Sequence, residues 1–205
     1  MTLCHLTMPQ QGVHAKMPKT TFFNLKDDKK AQIVQSLIKE FEAKTMSEAT
    51  VKDIVEALEI PRGSFYQYFF SLEEAYFYIL DLKFDFIHLE FLKIYTAKSN
   101  NLRQALLEYG QFLAKEIYKP ENYKLFRNRY LTWNARLERD RQSYLAQFSR
   151  NEEYLKLMSD KKLSIIGALV HHLIQKLFNN EWGKATFLKE YEELVNFIMG
   201  GINYV

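Results

Sequence analysis

The spacing of the apolar residues constrains the fold of this chain more than any other feature. Val34, Leu37, Ile38 and Phe41 follow the i, i+3, i+4, i+7 pattern that places side chains on one face of a helix. Similar stripes recur along the chain, and no segment shows the two-residue alternation of a half-buried strand. Only seven glycines and four prolines interrupt the 205 residues. Long helices are therefore expected, and the sequence predicts an all-α fold.

Composition and charge restrict the class of protein. An apolar content of 47% and a charged content of 26% are ordinary for a globular domain. No apolar run reaches the length of a transmembrane helix, and the N-terminal residues lack the apolar region of a signal peptide. The single cysteine, Cys4, allows no disulfide within the chain. We therefore expect a cytoplasmic protein, and the net charge of +3 does not by itself predict a nucleic-acid partner.

Helix-capping residues divide the N-terminal third into short helices. Asn24 and Thr50 are each followed three residues later by an acid, which predicts the N-caps of a first and a second helix. Pro61 suits the first position of a third helix. Ser71 and Glu74 form a capping box that begins a long fourth helix. Because the turn between the second and third helices is too short for antiparallel packing, the pattern predicts a helix-turn-helix.

The segment IPRGSFYQYFF at residues 60–70 combines a cation, a glycine and five aromatic rings. If a helix begins at Pro61, its first turn offers unpaired backbone N–H groups, which bind phosphate readily. Gly63 leaves room for the close approach of a sugar-phosphate chain. Arg62 can bind a phosphate or the edge of a guanine. These three features all fit double-stranded DNA.

The side chains of the same segment divide between the core and the solvent. Phe65 and Phe69 are four residues apart, so they share a face that we expect to point inward. The tyrosines and the glutamine between them point outward, where phenols can bond phosphate and an amide can read adenine. The candidate DNA contacts are Thr50, Lys52, Arg62, Gly63, Ser64, Tyr66, Gln67 and Tyr68.

From about residue 23 to residue 80 the sequence resembles the DNA-binding signature of the TetR family of transcriptional regulators. The resemblance rests on the apolar first helix, on the entry to the second helix at Thr50, and on RGSFYQYF at residues 62–69. It implies a homodimer, a C-terminal helical domain with a ligand cavity, and dimerisation through the last two long helices. Beyond residue 80 it extends to the architecture only.

The resemblance also implies how the chain is divided. We expect a disordered leader at residues 1–20, a helix-turn-helix DNA-binding domain at residues 21–70, and a helical ligand-binding and dimerisation domain at residues 71–205. The ligand-pocket candidates are Tyr118, Phe126, Arg127, Tyr130 and Trp133, although a helix rich in rings is more often simply packed. Arg127 or Arg129 is available for an anionic group of the ligand. The dimer-interface candidates are Ile166, Val170, Ile174, Leu177, Tyr191, Val195 and Ile198.

Three positions depart from the family pattern. Lys44 and Glu59 stand where glycines are usual, so we expect either a left-handed backbone held under some strain by a residue with a side chain, or an altered turn geometry. Leu72 replaces a lysine that usually binds phosphate. Residues 17–72 carry eight basic and eight acidic side chains. Because phosphate neutralisation supplies much of the affinity for DNA, we expect weak or localised electrostatic attraction.

Two functions of different classes remain open at this stage. The first is a ligand-responsive, DNA-binding transcriptional regulator, with repression as the expected mode, that acts as a homodimer on a palindromic operator with an unknown small-molecule effector. The alternative is a helical small-molecule or protein-binding module whose DNA binding is weakened or lost. The sequence carries no catalytic motif, so we do not expect an enzyme. His171 and His172 diverge by about 100° on a helix, so we expect no metal or other cofactor.

Overall fold

The computed structural model of this protein describes residues 18–145 and 160–202. The described residues are predominantly helical and contain no strand, which confirms the predicted all-α class. In chain order the helices are α1 (Thr20–Phe23), α2 (Asp27–Ala43), α3 (Val51–Ala57), α4 (Arg62–Tyr68), α5 (Leu72–Ala97), α6 (Leu102–Ile117), α7 (Pro120–Thr132), α8 (Ala135–Leu145), α9 (Lys161–Asn179) and α10 (Lys184–Ile202). Across these described stretches, none of the helices is at once long and apolar enough to span a bilayer.

Helices α1 to α4 pack around a cluster of phenylalanine rings. Phe65 and Phe69 are 2% and 0% exposed, which confirms that both point inward. Their rings lie 5.5 Å apart, and the ring of Phe69 lies 5.2 Å from that of Phe22. Burial of three such rings contributes several kcal/mol at roughly 2–3 kcal/mol each. This cluster holds α4 against α1 and determines which side chains of α4 face solvent.

The predicted caps hold for two of the three helices. The Thr50 hydroxyl accepts the Asp53 N–H at 3.2 Å, and the Ser71 hydroxyl accepts the Glu74 N–H at 3.1 Å. The Glu74 carboxylate accepts the Phe70 N–H at 2.8 Å, one residue before the N-cap, instead of the Ser71 N–H of a capping box. The Asn24 prediction is wrong, because the Asn24 N–H donates to Thr20 and ends α1, while α2 begins at Asp27 without a side-chain cap.

Lys19, which the sequence pattern assigns to the leader, contacts the end of α4. The Lys19 backbone N–H donates to the Tyr68 carbonyl at 2.8 Å. The Lys19 ammonium donates to the Tyr66 carbonyl at 2.7 Å and lies 4.1 Å from the ring of Phe70. Lys19 therefore satisfies carbonyls at the end of α4. Residues 1–17 of the expected leader lie outside the described residues.

The two departures from glycine behave differently. Glu59 has φ of 53°, which confirms the left-handed backbone expected there. Lys44 has φ of −130° and ψ of 150°, so this turn has the altered geometry instead of the left-handed backbone. Its extended backbone directs the ammonium to Glu40 at 3.0 Å and to Asp53 at 2.9 Å. The turn between α2 and α3 is thus held by ion pairs instead of a special backbone geometry.

Helices α5 to α10 form the larger part of the fold. Helix α6 packs on α5 and on α10, while α9 packs on α7 and on α10. Gly110 allows α6 and α10 to approach closely, since a Cβ there would lie 2.5 Å from the ring of Tyr191. Helix α7 also contacts α2. The Asn128 amide donates to the carbonyls of Phe41 at 3.0 Å and Glu42 at 3.2 Å, so α7 joins the two parts of the protein.

The predicted dimer-interface residues are buried within the single chain. Each is at most 6% exposed, which leaves little area for a partner; they are Ile166, Val170, Ile174, Leu177, Tyr191, Val195 and Ile198. Their stripes pack against other helices of the same chain, because α9 lies on α7 and α10 lies on α6. The large apolar side chains that these two helices expose are Ile165 at 53% and Phe197 at 72%.

Candidate functional site

The exposed surface of α4 carries most of the predicted DNA contacts. Arg62, Gly63 and Gln67 are exposed, and Tyr66 is 40% exposed. The helix begins at Arg62 directly after the exposed Pro61, so its first turn faces solvent. A Cβ added at Gly63 would meet no atom within 4 Å. Contacts inside the chain therefore give no reason for a glycine at this position.

The other predicted contacts are less free. Ser64 and Tyr68 are half-buried, and the Tyr68 ring lies 6.3 Å from that of Phe22. The Thr50 hydroxyl is engaged in the N-cap of α3. Lys52 is exposed and lies 3.7 Å from Glu56, a surface pair that contributes little to stability. Because α3 and α4 contact each other, these residues flank the exposed surface of α4.

Basic side chains near this surface are mostly engaged within the protein. Hydrogen bonds from Lys44 and Thr50 lower the pKa of the Asp53 carboxyl and keep it charged beside Lys44. Leu72, at the position of the usual lysine, is half-buried against the core. Arg62, by contrast, pairs with no acid among the described side chains. Arg62 therefore offers a positive charge at the start of α4 that no described acid neutralises.

A small cavity lies between α5, α6, α7 and α9. It measures about 20 Å³, and its walls include Phe84, Tyr109, Phe126, Arg129, Tyr130 and His171. Burial lowers the pKa of His171 to about 3, so this histidine is neutral near pH 7. Burial also raises the pKa of Tyr130. No acid occurs among the described residues that line the cavity.

The structure brings together only part of the predicted pocket. Phe126 and Tyr130 line the cavity, whereas Arg127 is exposed on the other side of α7. The Tyr118 hydroxyl donates to the Trp182 carbonyl at 2.5 Å, away from the cavity. Trp133 donates its indole N–H to Glu138 at 2.8 Å and packs beside the cavity without lining it.

Sequence reasoning named Arg129 only as an alternative and assigned no pocket role to Tyr109 or His171. Tyr109 belongs to α6, Arg129 to α7 and His171 to α9. Their positions in the sequence carry no common spacing, so only the packing of the helices brings them together. His171 and His88 have ring centroids 5.8 Å apart, but no three potential metal ligands cluster in the described part of the chain.

An open cleft of about 330 Å³ lies between the start of α5 and α8. Its walls include Ser71, Glu73, Glu74, Phe77, Arg136, Asp140, Ser143 and Tyr144. Arg136 bridges Glu73 at 3.4 Å and Asp140 at 3.6 Å. Burial raises the pKa of Glu74 to about 6, and one of its oxygens is buried without a hydrogen-bond partner among the described residues.

Comparison with known proteins identifies relatives of the C-terminal half. Residues 102–201 match a family model described as "Tetracyclin repressor, C-terminal domain". A TetR transcriptional regulator from Rhodococcus sp. RHA1 is 12% identical, with 83% of this chain and 94% of that chain covered and a TM-score of 0.43. A TetR family transcriptional regulator from Chloroflexus aurantiacus J-10-fl is 20% identical, with 92% and 96% covered and a TM-score of 0.47. The comparison with curated proteins gave no match.

Proposed function

Because this chain belongs to the TetR family of transcriptional regulators, we propose that it is a ligand-responsive repressor that binds a palindromic operator as a homodimer. The observation that carries the proposal is the exposed surface of α4. There Arg62, Tyr66 and Gln67 face solvent on a helix that Phe65 and Phe69 hold in place. A helix fixed on its core with polar, cationic and phenolic side chains outward fits a major groove.

Within this arrangement the exposed side chains take different roles. Gln67 presents an amide suited to the edge of an adenine, and Arg62 presents a fork suited to guanine or phosphate. Tyr66 offers a phenol to phosphate oxygens. If Arg62 and Lys52 are the phosphate-neutralising residues of each protomer, a dimer makes about four such contacts, and log affinity falls with log salt with a slope of about −3.6. This slope is shallow for a regulator, in line with the paired charges around Lys44.

Dimerisation is assigned to the outward apolar residues of α9 and α10. Ile165 lies 14 residues before the end of α9 at Asn179, and Phe197 lies 13 residues after the start of α10 at Lys184. Because α9 and α10 contact each other and residues 180–183 join them, the two side chains lie at similar heights on an antiparallel pair. Pairing with a second copy would remove both from water, which favours a homodimer.

The route from ligand to DNA runs through α7. One end of the Asn128 side chain reaches carbonyls at the end of α2, while the next residue, Arg129, borders the cavity. A ligand that moves α7 therefore moves the support of the DNA-binding domain. For such coupling, the change in operator affinity equals the difference in ligand affinity between the two states, typically ~1–3 kcal/mol.

A gel-shift selection from a randomised duplex library tests the DNA-binding part of the proposal. The full-length protein should enrich a palindromic sequence, and Arg62→Ala should weaken binding to it. Arg127→Ala is the matched control, since Arg127 is an exposed arginine on α7 and far from α4 in sequence. Failure to enrich any duplex, or equal losses in both variants, would contradict the proposal.

The alternative is a helical small-molecule or protein-binding module that has lost DNA binding. The engagement of Lys44 in ion pairs and of Lys19 at carbonyls favours it, since both lysines are thereby withdrawn from a polyanion. The same selection decides between the two candidates. A protein that enriches no duplex but binds small molecules belongs to the second class.

A further inference from the structure

The cavity between α5, α6, α7 and α9 borders a half-buried arginine, Arg129. Its Nε is buried and has no hydrogen-bond partner among the described residues. Its guanidinium carbon lies 5.5 Å from the ring centroid of Phe84, 5.1 Å from that of Tyr130 and 5.3 Å from that of Trp133. No carboxylate among the described side chains lies within 4.0 Å of this arginine. Aromatic rings thus surround a permanent positive charge.

Such a charge is costly to bury without a counter-ion. Removing a cation from water costs several kcal/mol even after the protein relaxes. Cation–π contacts return roughly 0.5–2 kcal/mol each, depending on how far they are desolvated. The three ring contacts together offset roughly 1.5–6 kcal/mol, but they leave the buried Nε–H of Arg129 without a hydrogen bond. An arginine with an unpartnered N–H beside a cavity is suited to bind an anionic ligand there.

The other polar groups around the cavity are also suited to an anion. His171 is neutral near pH 7, because burial lowers its pKa to about 3, so it does not compete with Arg129 for the anion. Tyr109 and Tyr130 line the cavity with phenols that can donate hydrogen bonds. The hydroxyl of Tyr191, on neighbouring α10, is buried without a partner among the described residues. Donors outnumber acceptors here, and the lining contains no described acid.

We propose that Arg129 anchors an organic monocarboxylate with an apolar body, and that this compound class is the effector. The inference deepens the ligand response proposed above and rests on it. A planar carboxylate matches the guanidinium fork in a bidentate pair. A dianion would leave one charge uncompensated among rings. The walls formed by Phe84, Phe126 and Ile174 suit an aromatic or aliphatic body.

In this structure the cavity is too small for such a ligand. A volume of about 20 Å³ holds one water-sized molecule, so a larger ligand has to part the walls. The Phe84 and Phe126 rings, 4.2 Å apart, close the side formed by α5 and α7. A carboxylate that pairs with Arg129 replaces ring contacts of the guanidinium and lets its body enter between these rings. Since Arg129 follows Asn128 on α7, opening also acts on the contact with α2.

Matched pairs of probes test the assignment on the full-length protein without DNA. The pairs are benzoate and benzamide, phenylacetate and phenylacetamide, and hexanoate and hexanamide, each at one ionic strength set with sodium chloride. At least one carboxylate should raise the thermal unfolding temperature while its amide does not. The chain has two tryptophans. In Trp182→Phe the fluorescence of Trp133, beside Arg129, should also change with the same carboxylate.

Variants then locate the site. Arg129→Gln should weaken carboxylate binding roughly tenfold or more, the loss expected for a hydrogen bond to a charged group. Arg127→Gln, at an exposed position on the same helix, should bind as the parent does. Without ligand, Arg129→Gln should unfold at the same or a higher temperature, because the buried Nε–H that has no hydrogen-bond partner is removed. A purely structural role for Arg129 predicts the opposite shift.

Three results would overturn the inference: equal responses to a carboxylate and its amide, equal carboxylate affinity in Arg129→Gln, or no response to any carboxylate. If Arg129→Gln fails to fold, the comparison of carboxylate with amide in the parent protein still decides. Failure of the regulator proposal is seen separately, because it is read from duplex selection. Carboxylate binding by a protein that selects no duplex would uphold this site and reject DNA binding.

Discussion

Asn128 provides a sharp test of the link between the two parts of the protein. Its amide nitrogen lies 3.0 Å from the Phe41 carbonyl oxygen, 3.2 Å from that of Glu42 and 3.3 Å from that of Lys44. These carbonyls belong to the end of α2, where intrahelical partners run out. Because one amide group has two N–H bonds, it supplies at most two full hydrogen bonds, shared among three oxygens.

The expected cost of Asn128→Ala follows from that geometry. Two hydrogen bonds at about 0.5–1.5 kcal/mol each amount to a loss of about 1–3 kcal/mol. Alanine is the better helix former, and this returns up to about 0.7 kcal/mol within α7. A net loss of about 1–2 kcal/mol remains. For a chain of this size it lowers the unfolding temperature by roughly 2–8 °C.

Equilibrium urea unfolding of the full-length protein measures this loss. Asn128→Asp should cost more than Asn128→Ala, because it places carboxylate oxygens against carbonyl oxygens. Arg127→Ala is the control on the same helix, since Arg127 is exposed and contacts no such carbonyl group in the described structure. If both Asn128 variants are as stable as Arg127→Ala, α7 does not support α2 through this side chain, and the proposed route from ligand to DNA loses its basis.

Three further outcomes are expected from the packing. Phe197→Glu should convert a dimer to a folded monomer, because Phe197 is 72% exposed. Val195→Glu should instead unfold the chain, because Val195 is 1% exposed. Light scattering measures the change in mass, and circular dichroism measures the loss of helix. Gly110→Ala should cost roughly 1–3 kcal/mol in urea unfolding, since the new Cβ lies 2.5 Å from a facing tyrosine ring. Stability should fall as the pH drops from about 6.5 toward 3. In this range His171 binds a proton in the unfolded chain but stays neutral in the folded chain, where burial lowers its pKa to about 3. His171→Leu should flatten this fall, and His172→Leu, at an exposed neighbour, should not.

The helix-turn-helix could be predicted from sequence because its signals are local. The caps at Thr50 and Ser71 each involve a residue and its neighbours three positions on, and the structure forms both. At Lys44 the sequence leaves two turn geometries open, and the structure has the extended one, with an ion pair from Lys44 to Asp53 on the next helix. Such a pairing leaves no mark in a local pattern.

The packing of helices α5 to α10 could be predicted only in part. A stripe such as Val170 and Ile174 shows that one face of a helix is buried, but not whether the covering surface belongs to the same chain. The structure covers this face with α7 of the same chain, which the stripe alone does not reveal. The full lining of the cavity could not be predicted from the sequence either. Four helices, α5, α6, α7 and α9, contribute residues to it, and no fixed spacing relates these residues.

Gly63→Ala tests most directly the claim that the start of α4 binds the DNA backbone. The added Cβ meets no protein atom within 4 Å, so the folded state should be unchanged or more stable by up to about 0.5–1 kcal/mol. Operator affinity should nevertheless fall, because the methyl group occupies the space that the sugar-phosphate chain needs. Gly183→Ala, which also meets no atom within 4 Å, is the control and should leave affinity unchanged. A Gly63→Ala protein that binds the operator as tightly as the parent would contradict the claim.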